Sequence, residues 1–197
     1  MNNLEPEVLD RVHQGNEDAF TQLVETYQKP VYNLCYRMLG DPDEAEDASQ
    51  ETFLRVYKNI KHYDAKRPFT TWLLSIAAHH CIDQLRKRRM VVISMDGTPY
   101  LDPPDGLPGP EASFYNHEEQ KRVQTLLKTL SPHDRAAVIM YYWYDFSYDE
   151  IAKSLSLTSS AVKSRLHRAR LTMAQSWANQ KGSNFVPERK PHESSAF

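Results

Sequence analysis

Apolar residues recur at helical spacing through most of the chain, and nowhere do they alternate with period two over a strand's length. In "GDPDEAEDASQETFLRVYKNI", Ala45, Ser49, Phe53, Val56, Tyr57 and Ile60 fall on one side of a predicted helix. Its start is marked. Asp41 can cap it, Pro42 suits the first turn, and Asp43, Glu44 and Glu46 complement the positive end of the dipole. The preceding "AFTQLVETYQKPVYNLCYRML" reads as two apolar-periodic pieces meeting near Pro30, because proline lacks an N–H. The later "PFTTWLLSIAAHHCIDQLRKRR" predicts a long helix beginning after Pro68.

The second half is punctuated in the same way. Ser131-Pro132 is a cap followed by a first-turn proline, and Ser147 and Glu150 stand at capping-box spacing. "SYDEIAKSL" is a short helix, "SLT" a tight turn and "SSAVKSRLHRARLTMAQ" a longer helix, which is a helix-turn-helix layout. Between the halves lies "VVISMDGTPYLDPPDGLPGPEASFYNH", residues 91–117, with five prolines, three glycines, four acids and no Lys or Arg. That proline density opposes helix and central strand alike, so the segment is expected to be a linker. The last residues, "KGSNFVPERKPHESSAF", lack an apolar face and read as a flexible tail. The expected fold is all-α: a domain at 18–90, a linker at 91–117, a second small helical domain at 118–178 and a tail at 179–197.

Charge sharpens this picture. The net charge of the 197 residues is −2, yet residues 1–60 hold 12 acids and 5 Lys/Arg while the remainder holds 14 and 19. An acidic first third followed by basic segments points to two kinds of partner. The basic extreme is "SSAVKSRLHRARL", with Lys163, Arg165, Arg168 and Arg170 and no acid. On a helical wheel Val162, Leu166, Ala169 and Met173 form its apolar stripe. Lys163 and Arg170 lie on one flank, Arg165 and Arg168 on the other, and Ser159, Ser160 and Ser164 keep its amino-terminal half slim. A recognition helix in a DNA major groove needs this arrangement, with cations beside it for phosphates; a solvated basic helix face is the alternative.

Other classes find less support. The acidic amino terminus lacks the apolar core of a signal peptide, and no run approaches 18 apolar residues, so no membrane insertion is expected. Cys35 and Cys81 are too few for a disulfide framework, which suits a reducing cytoplasm. His79, His80 and Cys81 are adjacent, and on a helix they point in different directions, so no metal is expected. No phosphate-binding glycine loop, GxSxG, HExxH or acid/base carboxylate pair is present. The expectation is a protein without enzymatic activity or cofactor.

Three stretches carry a family resemblance. "FSYDEIAKSLSLTSSAVKSRLHRAR" resembles the region 4 helix-turn-helix of extracytoplasmic-function sigma factors, of the sigma-70 family of bacterial RNA polymerase. "GDPDEAEDASQETFLRVYKNI" is similar to their region 2 core-binding helix, and "FTTWLLSIAAHHCIDQLRKRR" to their promoter-melting helix. The resemblance implies promoter-specific initiation by a dissociable polymerase subunit in the bacterial cytoplasm, nucleoid-associated when bound to polymerase. It implies that Ser159, Ser160, Lys163, Ser164, Arg165, His167, Arg168 and Arg170 meet the −35 element. His62, Tyr63, Asp64, Lys66, Arg67, Trp72, Ser75, His79, Arg86 and Arg88 would handle the −10 element. Asp47, Gln50, Glu51, Leu54 and Lys58 would grip the β′ clamp helices of core polymerase, with the β flap a further contact. An anti-sigma factor is a further implied partner.

Several residues also have plainer readings. Leu54 amid charges can be an ordinary surface residue, Trp72 a core aromatic, and the acidic linker a simple tether rather than an occupant of the polymerase's RNA path. Two positions depart from the family pattern. Ala78-His79-His80 stands where Arg-Asn-Arg is usual, and Ser156 occupies the turn position commonly held by glycine. A stand-alone helix-turn-helix regulator and a helical adaptor for an acidic protein are the competing functions, but neither needs both unlike domains.

Overall fold

A computed structural model describes residues 6–94 and 112–183. Among them are eight α-helices and no strands: α1 Pro6–His13, α2 Glu17–Leu39, α3 Pro42–Asn59, α4 Phe69–Ser94, α5 Ala112–Lys128, α6 Pro132–Tyr144, α7 Tyr148–Ser154 and α8 Ser159–Ser183. A 3-10 turn, Ile60–His62, follows α3. The all-α class expected from the periodicity is the one observed.

The first unit is a bundle in which α2, α3 and α4 pack mutually, with α1 laid against α2 and the 3-10 turn. The sequence reading did not anticipate α1, which buries Val8 and Val12. Nor does α2 break at Pro30: one helix runs through it. The reason is phase. Leu23 and Tyr27 before the proline and Val31, Leu34, Cys35 and Met38 after it are buried on one continuous stripe. An interior proline costs about 3 kcal/mol, while each large apolar side chain buried contributes about 1.5–3 kcal/mol. Burial on both sides of the proline therefore wins.

Gly40 ends α2 with φ 79°, its N–H bonded to Tyr36 O at 2.8 Å. Asp41 then caps α3, its Oδ1 accepting from Glu44 N at 2.9 Å, as expected. On α3 the buried side is Ala45, Ala48, Ser49, Thr52, Phe53 and Val56. Tyr57, expected on that side, is 52% exposed and only leans its ring edge on Phe20. Its position in the helical repeat drifts past the edge of the buried stripe, and a phenol can stay at the rim with its hydroxyl in water. Cys35 and Cys81 are free, buried and in side-chain contact across α2 and α4.

In the second unit α8 packs against α5, α6 and α7. Ser131 Oγ caps α6, and Ser147 and Glu150 form the expected capping box at α7. The prolines and acids assigned to the linker lie in 95–111, outside the described residues. The flanking 91–94 and 112–117 are helical ends of α4 and α5, and α8 extends to Ser183 into the segment read as tail. The remaining tail residues, 184–197, lie outside the described residues.

Candidate nucleic-acid interface

The turn before α8 is fixed by backbone bonds. Leu157 N donates to Ala152 O at 2.8 Å, and Ser156 takes φ 54°. Serine thus holds the left-handed conformation expected of glycine, at a cost of about 1–2 kcal/mol. Thr158 caps α8 through Ala161 N at 3.1 Å. Val162, Leu166 and Ala169 are buried, so Ser160, Lys163, Ser164, His167 and Arg168 face outward and are exposed. The remaining −35 candidates have partners within the chain. Ser159 donates its hydroxyl to Asp149. Arg165 binds Asp134 Oδ1 at 2.9 Å and is partly buried. Arg170 stands by the hydroxyls of Tyr142 and Tyr148, which favour its charged form and raise its pKa.

The −10 candidates gather around one loop. Asp64 organises it, its Oδ1 accepting from Lys66 N at 3.0 Å and its carbonyl from Arg67 N at 3.0 Å. Tyr63 donates its hydroxyl to Arg67 O at 2.5 Å. Tyr63, Phe69 and Trp72 form an aromatic cluster with centroids 5.2–5.7 Å apart. Trp72 is half-buried and combines both sequence readings: it packs in the cluster and also lines a cleft with Lys66, Arg67, Thr71 and Ser75. Ser75 turns its hydroxyl back onto Trp72 O at 2.7 Å, and Nδ1–H of His79 donates to Ser75 O at 2.8 Å. His62, Asp64, Lys66, Arg67, His79 and Arg86 are exposed, whereas Arg88 pairs with Glu44 of α3.

On α3, Asp47, Gln50, Leu54 and Lys58 are exposed, Leu54 by 54%. Glu51 accepts from Arg55 Nε at 2.8 Å, and that bond holds its carboxyl below the usual range. Sequence reasoning missed a further set: Gln124, Arg135 and Tyr144, which bond to α2, and Glu150 and Lys153, which face the −10 loop. A signal was present. Six consecutive residues of α6, Arg135 to Met140, are buried, and a helix buried all round is packed on two sides.

A helix-turn-helix with an open cationic helix, joined to a helical bundle carrying basic and aromatic side chains, defines a DNA-binding transcription protein. Residues 23–90 match the family model of sigma-70 region 2, and residues 120–173 that of sigma-70, region 4. The chain is 35% identical over 170 residues to the ECF RNA polymerase sigma factor SigW of Bacillus subtilis, covering 82% of this chain and 90% of that protein. It is 32% identical over 152 residues to SigE of Mycolicibacterium smegmatis, covering 77% and 59%. Two solved structures share the fold. CnrH in complex with the cytosolic domain of CnrY has a TM-score of 0.66 at 22% identity, covering 87% of this chain and 96% of that one. RpoE in complex with the anti-sigma factor NepR from Bartonella quintana has 0.65 at 23%, covering 79% and 94%. The chain belongs to the extracytoplasmic-function group of sigma-70 factors, which are transcription initiation factors.

Proposed function

We propose that each face has a distinct partner. The outward face of α8 (Ser160, Lys163, Ser164, His167 and Arg168) reads the −35 element in the major groove. Ser159, Arg165 and Arg170 lie at its margins, and the two arginines would have to leave Asp134 and the tyrosines to reach phosphates. The loop His62–Arg67 with Trp72, Ser75, His79, Arg86 and Arg88 engages the −10 element, where cations hold the backbone while an aromatic side chain faces unstacked bases. Asp47, Gln50, Glu51, Leu54 and Lys58 grip the β′ clamp helices, and the second unit meets the β flap. The chain itself catalyses nothing; chemistry belongs to the polymerase. It works in the cytoplasm and joins the nucleoid as part of holoenzyme. The complexes with CnrY and NepR support an anti-sigma factor as a further partner.

The observation that carries this reading is α8: a capped helix whose apolar stripe is buried while its short polar and cationic residues stay exposed. The test is transcription by reconstituted holoenzyme on a promoter and on variants of its −35 element. Loss of discrimination by Arg168→Ala supports the reading; unchanged promoter selection by Lys163→Ala with Arg168→Ala refutes it.

A further inference from the structure

Helix α1 lies ahead of the stretch matched to region 2, which begins at residue 23. It nevertheless packs against both α2 and the 3-10 turn that leads into the −10 loop. Val8 and Val12 are buried there, with Leu9 half-buried beside them. The end of α1 is firmly closed. Gly15 takes φ 81°, a left-handed conformation that glycine adopts without strain, and donates its N–H to Val12 O at 2.9 Å. Asn16 N donates to Arg11 O at 3.0 Å, and Asn16 Oδ1 accepts from Ala19 N at 2.8 Å to cap α2.

This fixed end presents the half-buried ring of His13, whose centroid is 6.5 Å from that of Tyr63. Tyr63 is the joint of the −10 loop. Its N–H donates to Ile60 O at 3.0 Å in the 3-10 turn, and its hydroxyl donates to Arg67 O at 2.5 Å, so it spans the loop. Burial raises the pKa of the phenol, which keeps the proton of that second bond. The Tyr63 ring also meets Phe69 edge-on at 5.3 Å and Trp72 at 5.2 Å. Three rings therefore set its tilt, two from α4 and one from α1. The loop's exposed cations, Lys66 and Arg67, are otherwise ordered only through Asp64. A binding loop must be ordered when it engages its ligand, and a brace that orders it beforehand strengthens binding.

We propose that α1 braces the −10 loop and that His13 is its positioning residue, acting through Tyr63 on Arg67 and Trp72. The inference rests on the −10 reading given above and extends it to a helix outside the region 2 match. His13 touches no nucleic acid in this scheme. Without its ring Tyr63 is free to tilt, which loosens the Arg67 backbone and the edge of Trp72 together. All of these contacts lie within the first unit, so the brace is independent of the second.

The experiment uses holoenzyme reconstituted with each variant. It is titrated into a labelled single-stranded oligonucleotide carrying the −10 element of a promoter it transcribes, and into one with that element scrambled. Anisotropy gives both affinities, and urea denaturation of the free chain gives stability. Loss of one ring pair amounts to about two- to tenfold, and His13→Ala should weaken binding of the −10 strand by that factor, with scrambled-strand affinity and polymerase capture unchanged. His13→Phe keeps a ring and should restore the affinity. In a Tyr63→Leu background, which keeps bulk but removes the ring, His13→Ala should have no further effect. Full −10 affinity in His13→Ala while Tyr63→Leu is impaired overturns the brace and leaves the −10 reading intact, whether or not the urea midpoint falls. An equal loss from His13→Ala in both backgrounds also overturns it, because His13 then acts without Tyr63. If Trp72→Ala and Lys66→Ala with Arg67→Ala all retain full affinity, the −10 reading itself falls and the brace with it.

Discussion

Replacing Leu54 by alanine separates a surface residue from a docking residue. Leu54 is 54% exposed on α3, between Gln50 and Lys58 on the outward face, while its neighbours Thr52, Phe53 and Val56 are buried. Full burial of a leucine contributes about 1.5–3 kcal/mol. Covering its exposed half against the polymerase is therefore worth about 1–1.5 kcal/mol, or about five- to tenfold in affinity. Alanine has the best helix propensity, and little core contact is removed, so the fold should change by less than about 0.5 kcal/mol. Competition of the unlabelled variant against labelled wild-type chain for core polymerase measures the first quantity, and urea denaturation the second. As a contrast, Leu73→Ala, at a fully buried position, should cost about 2–5 kcal/mol of stability. If Leu54→Ala lowers the urea midpoint as Leu73→Ala does while polymerase affinity stays the same, the docking argument fails.

Three further outcomes are expected. Ser156→Gly should stabilise the fold by about 0.5–1 kcal/mol, since relief of the left-handed backbone exceeds glycine's entropic cost; a lower melting temperature would contradict the strain. Arg170→Ala should weaken binding to all duplexes alike and flatten the salt dependence by about one phosphate, whereas Arg168→Ala should cost about 1–3 kcal/mol only on the matching −35 sequence; filter binding across salt concentrations and −35 variants measures both, and an equal loss from the two substitutions on every duplex would contradict the distinction. His133 is held below the usual histidine range by burial and by Arg165 and Arg86, so between the folded and unfolded values the unfolded chain binds more protons and stability falls as pH drops below about 6.5. Urea midpoints from pH 7.5 to 5.5 should fall less steeply for His133→Asn than for wild type, and equal slopes would exclude this histidine.

The elements with local causes were legible. Asp41, Ser131 and Ser147 sit at caps because short acceptors beside a first-turn proline or acid meet free N–H groups, and no distant residue alters that. Pro30 misled because its penalty is local while the compensation, packing of Leu23 through Met38 against α3 and α4, is tertiary. The exposed face of α8 followed from the wheel. The engagement of Arg165 by Asp134, 31 residues away, and of Arg88 by Glu44 did not, because charge spacing along one helix carries no information about its neighbours. The seat of one unit on the other was announced by α6 alone, where Arg135 is followed by the unbroken apolar run 136–140, which leaves that stretch of helix no polar face for solvent.

The Cys35–Cys81 pair has a consequence in reaction kinetics. Burial and the mutual contact push the Cys81 thiol far up, so essentially no thiolate forms there at neutral pH. An electrophile can then attack only when α2 and α4 part, and the rate of alkylation counts openings of the bundle core. Polymerase binding should slow that clock, since a partner that binds only the folded bundle lowers the population of its openings.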